Sequence, residues 1–118
     1  MKMVSINDKI VAVTGGAGFI GSHLCDKLLA TGPKKVVIID DLSLGNMRNI
    51  EHLLKSPRVK MYKFDVSDYE RMVPIFNKEQ IDIVFNLAVV PLPKSLEDPK
   101  EAIDKTVLMT TTMCELLR

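Results

Sequence analysis

Lys9 to Thr14 (KIVAVT) is a short, continuous apolar run of the kind carried by a strand buried on both faces of a parallel sheet. Phe19 to Thr31 then sets apolar residues at Ile20, Leu24 and Leu28, with Cys25 and Leu29 beside them. That is helical spacing, and Gly32-Pro33 ends it. Lys35 to Asp40 (KVVIID) predicts a second buried strand. Asn46 to Lys55 predicts a shorter helix bearing Ile50, Leu53 and Leu54, closed by Ser56-Pro57. Arg58 to Val66 alternates instead, with Val59, Met61 and Lys63 on one side and Lys60, Tyr62 and Phe64 on the other. Lysine on both faces predicts a sheet edge, where it discourages pairing between molecules. Ser67 and Glu70 read as a capping box for a helix running to about Lys78, which Pro74 is expected to kink or to break in its first turn. Ile81 to Ala88 (IDIVFNLA) is the fourth strand. Asp98 as N-cap, Pro99 at the first helical position and Glu101 three residues on begin a last helix. Its expected packing stripe is Ile103, Val107, Thr110, Cys114 and Leu117.

Strands joined by helical connections make βαβ units, and right-handed crossovers turn these into a doubly wound parallel sheet. The expected class is therefore α/β, a partial Rossmann-like sheet with strand order 3-2-1-4. Composition narrows the picture. The 118 residues suit one domain, and 47% apolar against 26% charged residues exclude a disordered or low-complexity chain. A net charge of +1 leaves no electrostatic footprint for nucleic acid or an anionic membrane. The N-terminus lacks a signal-peptide apolar region, and no apolar run approaches the roughly 18 residues of a membrane span. Two cysteines far apart form neither a disulfide framework nor a metal cluster, so a cytoplasmic location is expected.

The chemistry is concentrated between the first strand and first helix. In Thr14-Gly15-Gly16-Ala17-Gly18-Phe19-Ile20-Gly21, Gly16, Gly18 and Gly21 satisfy G-x-G-x-x-G, and Gly15, Gly18 and Gly21 satisfy G-x-x-G-x-x-G. The loop follows a buried strand, opens an amphipathic helix and precedes Asp40 at the end of the second strand. The first glycine permits the tight turn, the middle one admits a pyrophosphate close to the backbone, and Gly21 lets helix and strand approach. The helix N-terminus offers unpaired N–H groups and partial positive charge to phosphates. An Asp40 carboxylate would accept from both hydroxyls of an adenosine ribose and repel a 2′-phosphate, favouring NAD over NADP, with Arg48 nearby acting against that preference. The plain alternative is a glycine turn that only joins strand to helix. A P-loop is excluded, since no Gly-Lys-Ser/Thr follows the glycines.

TGGAGFIGSHL, then IIDDLSLGN, FDVSD, IDIVFNLA and SLEDP, together resemble the extended short-chain dehydrogenase/reductase family, and within it the nucleotide-sugar epimerases and dehydratases. The likeness covers about residues 9 to 118. It implies an NAD site in which Gly15, Gly18, Phe19, Ile20 and Gly21 form the dinucleotide loop and Asp40 is the ribose-binding acid. Asp41, Ser43, Gly45 and Asn46 fall in the loop around the adenosine. Asp65 and Val66 flank the adenine, the aspartate accepting from its amino group. Leu87, Ala88 and Val89 pass beside the ribose and pyrophosphate. Two departures lie at the nicotinamide end: VVPLPKSL, with Pro91 and Pro93, replaces a polar glycine-containing stretch, and Thr106-Val107 replaces Asn-Val, the resemblance still implying a cofactor contact from the Thr106 hydroxyl. The family also carries a catalytic Ser or Thr and a Tyr-x-x-x-Lys further along. Here the tyrosines are Tyr62 and Tyr69, and neither has lysine four positions on, so no catalytic residue is assigned. Residues 1–118 are thus expected to be the N-terminal part of an NAD-binding domain, without the catalytic and substrate-binding parts.

The resemblance implies a nucleotide-sugar substrate for the whole enzyme, and a homo-oligomer is expected through an exposed strand-four edge or the last helix. A stand-alone dinucleotide-binding or regulatory module is the alternative. Of the remaining candidates, His23 reads as a packing or helix-surface residue, Cys25 and Cys114 as small core residues, and Lys34, Lys35 and Lys55 as solvated charges. Asp65 has a plain alternative as the acid that ends an edge strand. Asp40 and Asp41 point to opposite faces of a strand, so no metal site is assigned.

Overall fold

The structure, a computed structural model, describes residues 3–118. Four parallel strands form one sheet in the order β3-β2-β1-β4: β1 Ile10–Thr14, β2 Lys35–Ile39, β3 Val59–Tyr62 and β4 Ile83–Asn86. The expected strand order and edge position of β3 both hold. Four helices accompany the sheet: α1 Phe19–Thr31, α2 Tyr69–Glu79, α3 Leu92–Glu97 and α4 Pro99–Leu116. Val11, Val13, Val36 and Ile38 face a core shared with Cys25 and Leu28 of α1 and with Ile50 and Leu53. Ala12, Val37 and Ile39 face the opposite core, where Met72, Ile75 and Phe76 of α2 meet Met109 and Met113 of α4. Alternate residues of the inner strands therefore feed two apolar faces, which is why their sequences read as unbroken apolar runs.

Several local expectations are corrected. The segment after β2 is two short 3-10 turns, Met47–Asn49 and Leu53–Lys55, in place of one helix. Its start is tied down twice, the Asn46 N–H and the Asn49 side chain both donating to the Ala17 carbonyl, at 3.0 and 2.9 Å. Its apolar anchors Ile50 and Leu53 lie three apart, which suits three residues per turn. The cap of α2 is Asp68, accepting from Arg71 N at 3.2 Å, while Ser67 turns back to donate to Asp65. The helix runs unbroken across Pro74.

On α1, the face against the sheet is Gly21, Ser22, Cys25 and Leu28, while Ile20 is exposed. A Cβ on Gly21 would stand 2.2 Å from the Gly15 carbonyl oxygen, so only glycine allows this close approach, and the helix presents Ile20 outward. On α4, Ala102, Met109, Thr112 and Met113 are buried. The expected stripe faces outward instead, with Ile103 63% and Val107 55% exposed and Thr110, Cys114 and Leu117 also exposed. Both stripes have helical spacing; the small Ala102 and the flexible, gap-filling methionines are the ones that pack inward. Cys114 is accordingly a surface thiol, whereas Cys25 is buried, and burial, with a smaller push from Asp26, raises its thiol to about 12.

Lys35 is also no solvated charge. It pairs with Glu79, which is buried at the end of α2 and also accepts from the Tyr62 hydroxyl, with Lys60 3.4 Å away. This network clips β2 and β3 to α2.

Candidate functional site

The carboxyl ends of the strands open on a groove of about 750 Å³. In a doubly wound sheet this is where ligands bind, beside the point at which the strand order reverses. Its floor is the loop after β1. Gly15 takes a left-handed φ of 67° and its N–H donates to the Ile39 carbonyl at 2.8 Å, so the chain leaves β1 in a tight turn anchored on β2. The neighbouring Thr14 hydroxyl donates to Asn86 Oδ1 at 2.6 Å and accepts from the N–H groups of Leu87 and Ala88 at 3.1 and 3.2 Å. The end of β4 is thereby held against the glycine loop.

Helix α1 begins at Gly18 with no side-chain cap and no acidic residue in its first turn. Its leading N–H groups are left to whatever enters the groove. A Cβ built on Gly18 would meet only the Gly15 carbonyl oxygen, at 3.2 Å, and otherwise open space. The groove thus has room directly over the helix N-terminus, as a diphosphate requires, and the residues present fit a dinucleotide there.

Asp40, buried just beyond β2, accepts from Ala17 N at 2.9 Å through Oδ2 and from Leu42 N at 2.8 Å through Oδ1. It therefore braces the glycine loop as well as facing the groove. Each oxygen keeps a further acceptor position. Asp41 is exposed and accepts from Ser43 N at 2.8 Å.

Asp65 lies across the groove, after β3. Its Oδ1 accepts from both the N–H and the hydroxyl of Ser67, at 2.9 and 2.8 Å, and its Oδ2 pairs with Lys105 Nζ at 2.7 Å. Burial alone would raise its pKa, but Lys105 and Ser67 outweigh that and hold it below the usual carboxylate range. Asp65 in turn raises the Lys105 ammonium, against partial burial, with Asp41 and Glu101 adding to it.

Of the residues picked out in the sequence, Gly15, Gly18, Phe19, Ile20, Gly21, Asp40, Asp41, Ser43, Gly45, Asp65, Val66, Leu87, Ala88 and Val89 all line this groove. Asn46 and Thr106 stand outside the lining. Asn46 caps the first 3-10 turn, accepting from Arg48 N at 3.0 Å, and Thr106 is exposed with its hydroxyl on the Ala102 carbonyl at 2.7 Å. The structure adds lining residues that sequence reasoning missed, chiefly Lys94, Glu101, Lys105 and Met109. Lys105 left one readable signal. It interrupts the three-four spacing of Ala102, Met109, Met113 and Leu116 on α4.

Comparison with known proteins gives the site a context. The UDP-glucose 4-epimerase of Lacticaseibacillus casei is 34% identical over 108 residues, covering 91% of this chain and 31% of that protein. UDP-glucuronic acid decarboxylase 1 of Arabidopsis thaliana is 35% identical over 109 residues, 92% of this chain and 23% of that one. The crystal structure of the Bordetella bronchiseptica enzyme WbmF in complex with NAD+ superposes with a TM-score of 0.82 at 29% identity, covering 97% of this chain and 33% of that chain. The chain therefore spans a third or less of the length of these relatives. Residues 12–118, nearly all of the sheet and every wall of the groove, match the family described as GDP-mannose 4,6 dehydratase, and the chain belongs to it.

Proposed function

We propose that this groove binds NAD, and that the chain is the cofactor-holding portion of an enzyme that transiently oxidises a nucleotide-linked sugar. The observation that carries the reading is the uncapped N-terminus of α1 beneath the open space at Gly18, flanked by Asp40 on one side and Asp65 on the other. The N–H groups of the Phe19–Gly21 turn would hold the diphosphate. Asp40 would accept from the adenosine ribose, and its buried charge disfavours a 2′-phosphate. Asp65 and Val66 would bound the adenine, and Leu87, Ala88 and Val89 would lie along the remainder. When bound, NAD supplies reversible oxidation of a sugar carbon; these residues bind and orient it. Neither tyrosine is a candidate base, since Tyr62 donates to Glu79, Tyr69 is the first residue of α2, and neither lines the groove. That observation favours a second reading, in which this chain binds the dinucleotide without catalysis.

Self-association belongs to the same proposal. The outward stripe of α4 and the free edge of β4 are the surfaces offered to a second copy.

The test is calorimetric titration of the 118-residue chain with NAD and NADP, beside the variant Gly18→Val. NAD is expected to bind at least tenfold tighter than NADP, and the added side chain is expected to abolish binding of both, because it fills the space a diphosphate needs. Equal binding of NAD by Gly18→Val would sink the assignment.

A further inference from the structure

The inward face of α4 runs Ala102, Lys105, Met109, Thr112, Leu116. Of these, Ala102, Met109 and Thr112 are buried, and Lys105 and Leu116 are half-buried. A lysine on that face is unusual, because ordering its stem and desolvating its head both cost free energy that a leucine would not. Helix anchorage does not need it, since Met109 and Met113 already reach the core. What Lys105 does reach is Asp65, on the opposite wall of the groove, at 2.7 Å.

The acceptor count at Asp65 is informative. An ionised carboxylate has about four lone-pair sites. Ser67 N and Ser67 Oγ take two on Oδ1, and Lys105 takes one on Oδ2. One remains, on an acid that lines the groove. The carboxylate is therefore fixed in orientation, and a single further donor can be accommodated without displacing Lys105. Asp65, with smaller contributions from Asp41 and Glu101, favours the charged form of the lysine.

We propose that Lys105 is a positioning residue for the base of the dinucleotide, holding Asp65 as a fixed acceptor with one place left for an exocyclic amino group. The inference rests on reading the groove as a dinucleotide site. It adds a residue from the opposite wall, one that touches Asp65 and acts on the base through it. A base bearing an amino group at that point completes the carboxylate's set of donors. A base bearing a carbonyl oxygen there would set lone pair against lone pair, and sites built to bond an N–H reject such analogues strongly. Without Lys105, Asp65 keeps only its Ser67 bonds on Oδ1, and Oδ2 is free to turn.

The experiment is calorimetric titration of the 118-residue chain with NAD and with the dinucleotide carrying hypoxanthine in place of adenine. The variants are Lys105→Met, Lys105→Arg, Asp65→Asn and the Lys105→Met/Asp65→Asn double variant. The unaltered chain is expected to prefer NAD by at least about tenfold. Lys105→Met is expected to weaken NAD about fivefold, the scale of a half-exposed ion pair, while leaving the hypoxanthine analogue unchanged. Lys105→Arg is expected to restore the preference. On the Asp65→Asn background, Lys105→Met is expected to have no further effect. An equal loss for both ligands, no loss for either, or an unaltered chain that binds both alike each overturns the proposal. Failure of the unaltered chain to bind either ligand overturns the dinucleotide reading itself, and that result is separable from the others.

Discussion

The two walls of the groove are built in different ways. On the β1–α1 side each contact uses a main-chain atom of the glycine loop. Gly15 N–H bonds to Ile39, Ala17 N–H to Asp40, and Gly21 sits against the Gly15 carbonyl. On the α4 side the wall is made of side chains, Ala102, Lys105 and Met109, tied across the groove by one half-exposed ion pair. A wall built from backbone has to use glycine and a short acid at fixed spacing, because nothing larger fits. A wall built from side chains can be made in many ways. Rigidity and legibility in the sequence therefore go together here.

The sharpest way to break this contrast is to add bulk to the backbone wall. Gly21→Val would force a Cβ to within 2.2 Å of the Gly15 carbonyl oxygen and 2.7 Å of Gly16 Cα, both of them main-chain atoms with little freedom to yield. We expect a cost of about 3 kcal/mol or more, and a fall in melting temperature of more than about 10 °C in a domain of this size. Met109→Leu on the other wall conserves volume and should cost under about 1.5 kcal/mol. Thermal unfolding of both variants by circular dichroism checks the pair, and equal costs would remove the distinction.

The same contrast explains what could be read in advance. The strand order, α1 from Phe19 to Thr31, the Asp98 cap and the glycine loop were legible because steric rules fix them, while the groove-lining positions from Asp41 to Val89 were reached through the family resemblance. The inward face of α4 was not. Ile103 and Val107 are more hydrophobic than Ala102 and Met109, yet the packing of α4 on the sheet, which a linear pattern does not encode, turns the face with Ala102 and the flexible methionines inward. The 3-10 turns after β2 were missed for a related reason. Their conformation is set by Asn46 and Asn49 bonding to Ala17, a contact between residues far apart in the chain. Lys35 and Glu79 were likewise unreadable as a pair, since only the fold brings the start of β2 to the end of α2.

That pair lies outside the groove lining, at the start of β2, and the effect of breaking it should be intermediate. Burial opposes ionisation of Glu79, but the hydrogen bonds from Lys35 and Tyr62 prevail and lower its pKa to about 2. A carboxyl depressed in the folded state stabilises the fold above its unfolded pKa and loses that contribution as pH falls toward the folded value. Glu79→Gln is therefore expected to cost on the order of 2 kcal/mol at pH 7, since Lys35 is only partly screened by solvent. Denaturant titrations across pH should show the gap between the two proteins closing from about pH 4.5 down to about pH 2. A gap that stays constant over that range would mean that the Glu79 charge does not matter.

The smallest effect on stability is expected on the outward face of α4, where the largest effect on assembly is expected. Ile103, Val107, Thr110, Cys114 and Leu117 follow one another at spacings of four, three, four and three residues, the repeat of a helix–helix seam, and all are exposed. Such a seam adds nothing to the fold of the single chain, so a charge on it should be tolerated. Val107→Glu is expected to change the unfolding free energy by no more than about 0.5 kcal/mol, as for surface positions generally. If the seam pairs with a second copy, as proposed, the same substitution buries a carboxylate in an apolar contact on each partner and should shift the protein to monomer. Sedimentation equilibrium on the two proteins at matched concentration measures this directly. A dimer that survives Val107→Glu would move the contact off α4 and onto the free edge of β4. A monomer in both cases would leave the outward stripe without a second copy to cover it, and the side-chain wall would then depend on the fold of a single chain alone.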